Sequence, residues 1–149
     1  TRAWPQLASA SLLQWADDAV AALTRWHQRT APGGSALVSC FVEPTLADLR
    51  ARLPEATPLP WRTDYEWFAA AQRAGWRVVR ADTRDWSRRY ANALEACRWL
   101  HRSGLTRPAP TLSGATLRKR LQAWNAAAPS NGITLSWRAL RLELRRDEA

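Results

Sequence analysis

Residues 6–42, QLASASLLQWADDAVAALTRWHQRTAPGGSALVSCFV, decide the fold, because they read as strand, helix, strand. Leu7–Ser11 is a short run of small and apolar residues. Asp17 and Asp18 open a helical pattern, at the place where acidic side chains meet the positive end of the helix dipole. Ala19, Val20, Leu23 and Trp26 fall on one face at helical spacing. Pro32-Gly33-Gly34 is expected to end that helix as a cap, since neither residue type continues one well. Residues 36–42 (ALVSCFV) are almost wholly apolar, the composition of a strand buried on both faces. Two such strands joined by a helix make a right-handed βαβ unit of a parallel sheet, so the fold class is α/β.

The rest of the chain can be placed around that unit. Residues 43–53 predict a short helix capped by Thr45, with Leu46, Leu49 and Leu53 on one face. The proline-rich stretch 53–60 is a connector. Thr63 opens a T-x-x-E capping box closed by Glu66, and the helix that follows puts Phe68, Ala71 and Ala74 inward before Gly75 stops it. Residues 76–81 (WRVVRA) form a strand near the sheet edge, because arginines flank the apolar pair. Residues 91–103 predict a helix with Leu94, Cys97 and Leu100 inward, and 106–110 a loop. Residues 113–128 predict a further helix with Leu117, Leu121 and Trp124 on its inner face. Residues 133–144 are a last strand whose alternation slips phase near Arg138-Ala139, where a bulge or strong twist is expected.

The 149 residues suit one domain, and no apolar run approaches the ~20 residues that span a bilayer. Thr1 is not an initiator methionine, and we expect chain to precede it. Cys40 and Cys97 read as buried thiols in a reducing, cytoplasmic compartment, with a disulfide as the other reading. The net charge of +9 is carried by arginine apart from Lys119. Such a surface suits an acidic protein, nucleic acid or an anionic membrane, or is a solvated face. Ten tryptophans among many arginines suit single-stranded nucleic acid, yet Trp26, Trp124 and Trp137 occupy inward positions, so core packing explains them better. His27 and His101 stand alone, and no Cys/His/carboxylate cluster has metal-ligand spacing.

The stretch 11–41 (SLLQWADDAVAALTRWHQRTAPGGSALVSCF) resembles the middle of class I S-adenosylmethionine (SAM) methyltransferases, in which a strand ending in small polar residues leads into Leu-Gln-Trp, a helix, a Pro-Gly-Gly turn and the next central strand. The tail is more specific. Leu100–Gly104, then Leu112-Ser113 to Leu121, then Leu135-Ser136-Trp137 resemble, in order and approximate spacing, the ending of the malonyl-[acyl-carrier protein] O-methyltransferases of biotin synthesis. The resemblance implies the C-terminal half of a doubly wound, Rossmann-like methyltransferase sheet, supplying strands four, five, seven and six in one domain over 1–149.

The residues 1–149 hold no glycine-rich turn of the G-x-G-x-G kind, so the SAM-binding N-terminal half that the resemblance implies is absent from this sequence. It is expected in another segment or a second chain, and residues 1–149 alone are expected to be inactive. What the resemblance implies for this half is a cofactor-facing Ser9, Ala10 and Ser11 at the end of the first strand, with Gln14, Trp15 and Arg62 toward substrate, Arg62 as the cation for a malonyl carboxylate. A carboxylate nucleophile is already ionised at neutral pH, so no catalytic residue is assigned. Arg98, Arg102, Arg118, Lys119 and Arg120 are candidates for docking an acidic acyl carrier protein. The alternative is a basic binding module, a methyltransferase remnant that takes an acidic protein or nucleic acid.

Overall fold

A computed structural model describes residues 3–56, 59–104 and 112–148. Its four strands are β1 (Trp4–Ala10), β2 (Thr30–Phe41), β3 (Arg77–Tyr90) and β4 (Ile133–Arg145), in the sheet order β1-β2-β4-β3. β1 and β2 are parallel, with Ala8 opposite Leu37, and β4 runs antiparallel to β2, with Leu37 opposite Glu143. Across the sheet this is the four, five, seven, six arrangement expected from the sequence. The helices are α1 (Ala19–Arg29), α2 (Ala47–Arg52), α3 (Asp64–Arg73), α4 (Ala93–Arg102) and α5 (Gly114–Ala127). By contact density the chain divides into two compact units.

The first unit comprises residues 1–45, 59–85 and 138–149. Its core joins Leu23 of α1 and Trp67, Ala70 and Ala71 of α3 to Val38, Cys40, Leu142 and Leu144 of the sheet. Asp18 caps α1 by accepting from the Ala21 N–H at 2.9 Å. At the other end of α1, Arg146 Nη1 donates to the carbonyls of His27 (2.9 Å) and Thr30 (2.7 Å), satisfying acceptors that a helix C-terminus leaves open. The Pro-Gly-Gly stretch does not end the helix. Thr30 does, and residues 32–34 lie inside β2, where the pairing jumps from Trp4–Thr30 to Gln6–Ser35. Glycine fits there because a Cβ on Gly34 would come within 2.8 Å of the Pro5 carbonyl on β1 and 2.7 Å of the Ala31 carbonyl.

α3 begins with the expected capping box. Thr63 Oγ1 accepts from the Glu66 N–H at 3.1 Å, and a Glu66 carboxylate oxygen accepts from the Thr63 N–H at 2.7 Å. Those bonds to Thr63 hold the Glu66 carboxyl below its ordinary range. A carboxyl with a depressed folded value adds stability above its unfolded pKa, and that stability is lost as pH falls through the folded value. Thr63→Ala is therefore expected to cost about 1 kcal/mol at neutral pH. Glu66→Gln should be less stable than the parent at neutral pH and converge with it once the medium is acid enough to protonate Glu66. Urea midpoints measured across that range check both, and a pH-independent gap between Glu66→Gln and the parent would contradict the box.

The second unit comprises residues 46–58 and 86–137. Trp124 of α5, 2 % exposed, donates its indole N–H to Asp48 of α2 at 2.9 Å, and Arg120 pairs with Glu55 at 2.7 Å. Trp86 and Trp137 are stacked 6.2 Å apart, Trp99 meets Trp137 edge-on, and the Arg88 guanidinium lies 5.1 Å from the Trp99 ring centre. Asn125 accepts from the Ala93 N–H at 2.7 Å, tying α5 to the start of α4.

Two local expectations fail here. α4 buries Ala93, Ala96 and Leu100, while Leu94 stays exposed, because alanine fits the close α4–α5 packing and a leucine frame misjudges it. On α5, Leu117 lies at the exposed end of its expected inner stripe, and Trp124 supplies the buried residue of that helix. Thr45, in the first unit, caps nothing. Its hydroxyl exchanges two 2.9 Å bonds with the backbone of Arg138 on β4, and α2 starts from Leu46 in the left-handed region. The expected loop 106–110 lies outside the described residues.

Candidate functional site

In an open α/β sheet, ligands bind beyond the carboxyl ends of the parallel strands. Here those ends are Ala10 of β1 and Phe41 of β2, both in the first unit. At the end of β1, Ser9 pairs with Val38 and Ala10 with Ser39, and the Ser11 N–H continues the ladder to the Ser39 carbonyl at 2.8 Å. Ser11 then adopts φ +54°, an uncommon conformation for a residue other than glycine, which turns the chain sharply out of the strand. A single 3-10 turn, Leu13–Trp15, follows and inserts Leu13 into the core.

Gln14 holds this turn from within. It is 3 % exposed, and its amide nitrogen donates to the Ser11 carbonyl at 2.9 Å. Its side-chain oxygen, and the Ser9 hydroxyl, are buried with no hydrogen-bond partner among the described residues. Such atoms are costly in a folded chain, and a hydrogen-bond donor reaching them would recover that cost. Trp15 is half-buried, and Ala10 and Ser11 are exposed.

Arg62 arrives from the other side, immediately before α3. Its Nη1 donates to the Ala16 carbonyl at 3.0 Å and, longer, to the Pro60 carbonyl, while Nη2 donates to the Asp17 carbonyl. The guanidinium also lies 5.2 Å from the ring centre of Trp67. Its own carbonyl accepts from the Glu43 N–H at 3.0 Å, just past the end of β2. One residue thus links the segment after β1, the segment after β2 and the start of α3. Burial pushes the Cys40 thiol, near the end of β2, up to about 12 against the opposing effect of the Arg62 charge, so it is no nucleophile at neutral pH. Among the described residues, no group of three or more His, Cys, Asp or Glu side chains could hold a metal ion.

Ser9, Ala10, Ser11, Gln14, Trp15 and Arg62 therefore lie around one end of the sheet of the first unit. Together they place small side chains, buried amide and hydroxyl oxygens and one guanidinium at that end. Arg98, Arg102, Arg118, Lys119 and Arg120 all belong to the second unit. The first four are exposed, whereas Arg120 is half-buried in its ion pair with Glu55.

One surface was not foreseen. β2 is not buried on both faces: Ala36, Val38 and Cys40 point into the core, but Leu37 between them is 44 % exposed. Leu37 and Val79, with Gln6, Ala8, Ser35 and Glu143, line an open depression of about 570 Å³ on the other face of the sheet. The alternation Ser35-Leu37-Ser39 was the available signal, and it was masked by the apolar character of the run as a whole. Next to this face β1 is an edge strand, hydrogen-bonded on one side only among the described residues and without a charge between Gln6 and Ala10.

No protein-family model and no curated protein matches this sequence. Solved structures do. A candidate methyltransferase of Bacillus halodurans superposes with a TM-score of 0.68 at 8 % identity, over 98 % of this chain and 65 % of its own. The YcgJ protein of Bacillus subtilis gives 0.64 at 11 % identity, over 99 % of this chain and 65 % of its own. A candidate sarcosine dimethylglycine methyltransferase of Galdieria sulphuraria gives 0.54 at 9 % identity, over 99 % of this chain and 54 % of its own. The chain thus spans less than two thirds of the length of these structures, and at such identities the likeness is one of fold: the chain has a methyltransferase-like α/β fold.

Proposed function

We propose that residues 1–149 form the substrate-side half of a SAM-dependent O-methyltransferase that methylates the free carboxylate of a malonyl group held by an acyl carrier protein. The observation that carries this reading is the sheet itself. Among the described residues its order β1-β2-β4-β3 leaves β1 as a parallel edge strand, with Pro5 near its start and no charge from Gln6 to Ala10, beside the exposed Leu37 and Val79, and an open edge of this kind is a template for further pairing. A cofactor-binding half in another segment or a second chain would cover both this edge and the face beside it.

When bound, SAM supplies an electrophilic methyl group. Ser9, Ala10 and Ser11 would flank it, and Gln14 and Trp15 would orient the acyl substrate. Because a malonyl carboxylate is ionised at neutral pH, these residues need only align it and exclude water. The resemblance in the tail supports the acyl-carrier substrate. The charge distribution supports an acidic partner: ten of the 22 basic residues but three of the 13 acidic ones fall in the second unit, so it holds +7 of the +9. Arg98, Arg102, Arg118 and Lys119 are the docking candidates, with Arg120 contributing less because Glu55 already neutralises it.

That same charge supports a second reading, a basic module that binds nucleic acid in a salt-dependent way. Calorimetric titration of SAM into the isolated chain is expected to show no binding. Adding a polypeptide that carries a glycine-rich cofactor half should restore binding and yield methyl ester on malonyl-loaded carrier protein. Transfer to small acids but not to the carrier would replace the substrate assignment. Tight, salt-sensitive nucleic-acid binding with no SAM binding in any combination would put the second reading first.

A further inference from the structure

We infer that Arg62 is a positioning residue that sets the course of segment 11–18, and is not the cation that receives a substrate carboxylate. Its guanidinium is aimed inward, at main-chain oxygens. Nη1 and Nη2 divide the adjacent carbonyls of Ala16 and Asp17 between them, with Pro60 as a third acceptor, and the central carbon lies 5.2 Å from the centre of the buried Trp67 ring. A planar fork that bridges two neighbouring carbonyls fixes their orientation as well as their distance.

The location makes the point sharper. Asp18 caps α1 and Thr63 caps α3, so Arg62 stands where two helices begin. Helix N-termini disfavour a cation, and a charge kept there needs another reason. Nearby acid offsets part of the cost, as Arg62 helps to lower the Glu66 carboxyl. The remaining reason is geometric: the two carbonyls follow Gln14 and Trp15 directly, and the Ala16 and Trp15 N–H groups close the 3-10 turn on Leu13 and Leu12 at 2.9 and 3.1 Å. Holding Ala16 and Asp17 therefore holds the buried Gln14 at the end of β1, over the Ser11 turn. Recognition of an anionic substrate falls to other groups.

Hydrogen exchange read by mass spectrometry on Arg62→Lys and Arg62→Gln tests this. A lone ammonium lacks the planar fork that divides two adjacent carbonyls between two nitrogens, so lysine should fail to rescue. In both variants the protected amides of Ser11, Trp15 and Ala16 should exchange about tenfold faster or more, while the β2 amides of residues 36–41 keep their protection. Parent-like exchange over 11–18 in Arg62→Lys would show that charge alone suffices, and would overturn the proposal. So would equal loss of protection in β2 and in 11–18, which would make Arg62 a stabiliser of the whole unit. The measurement uses neither SAM nor acyl substrate, so its outcome is independent of the methyl-transfer reading.

Discussion

Replacing Trp67 by alanine is expected to remove about 3–5 kcal/mol of stability. The side chain is 1 % exposed, faces the sheet from α3 and shares its core with Val38 and Leu142. Truncation leaves a cavity under Arg62, whose guanidinium loses the ring it lies on. Against the roughly 5–15 kcal/mol that holds a typical domain together, that loss is a large share of the total. Trp67→Phe is the control. The indole N–H is buried without a hydrogen-bond partner among the described residues, so phenylalanine sheds an unsatisfied donor while keeping most of the packing. It should cost well under half of what alanine costs. Urea unfolding followed by circular dichroism reads both, and a loss below about 1 kcal/mol for alanine would mean that the ring is not packed as described.

Gly132→Ala is the second large effect, with an expected cost of about 3 kcal/mol. Gly132 closes the turn before β4 at φ +100°, and a Cβ there would stand 2.3 Å from the Tyr90 carbonyl oxygen and 3.3 Å from its carbon. Both are backbone atoms at the end of β3, so no side-chain rotation relieves the clash. Gly104→Ala separates the two contributions. Gly104 also has a left-handed backbone, at φ +73°, but among the described residues nothing lies within 4 Å of its added Cβ. It should show only the conformational penalty of about 1 kcal/mol. Equal melting shifts for the two variants would remove the steric part of the argument.

Much of the scaffold was legible because it rests on local rules. Asp18 and the Thr63–Glu66 box mark helix starts by bonds that span three residues, and both are present. The phase slip in the last strand was visible as Leu135-Trp137 against Leu140-Leu142, and the burial pattern changes phase at Arg138-Ala139. Other features depend on partners far away in sequence. Proline and two glycines spell a breaker, yet Gly34 is there because the Pro5 carbonyl crosses it, and so β2 begins earlier than composition suggests. β3 runs on to Tyr90 because an exposed, arginine-rich edge strand need not alternate. Its ion pairs Asp82–Arg141 and Asp85–Arg138 step in opposite directions along β3 and β4, as antiparallel neighbours do. The neighbourhood of Ser9, Ser11 and Gln14 was legible from strand order. What Arg62 touches was not, since a bond to a main-chain carbonyl some 45 residues away leaves no trace in side-chain pattern.

The two cysteines have a practical consequence. Burial pushes Cys40 up to about 12 and Cys97 up to about 11, so at neutral pH neither supplies the thiolate that maleimides and haloacetamides attack. The chain contains no methionine, which removes the other readily modified sulfur. A single cysteine introduced at the exposed Leu37 or Leu94 would therefore be the dominant reactive sulfur in an otherwise native molecule. Fluorophores or crosslinkers could then be carried on the open sheet face, or on the basic second unit, without first deleting Cys40 from the core.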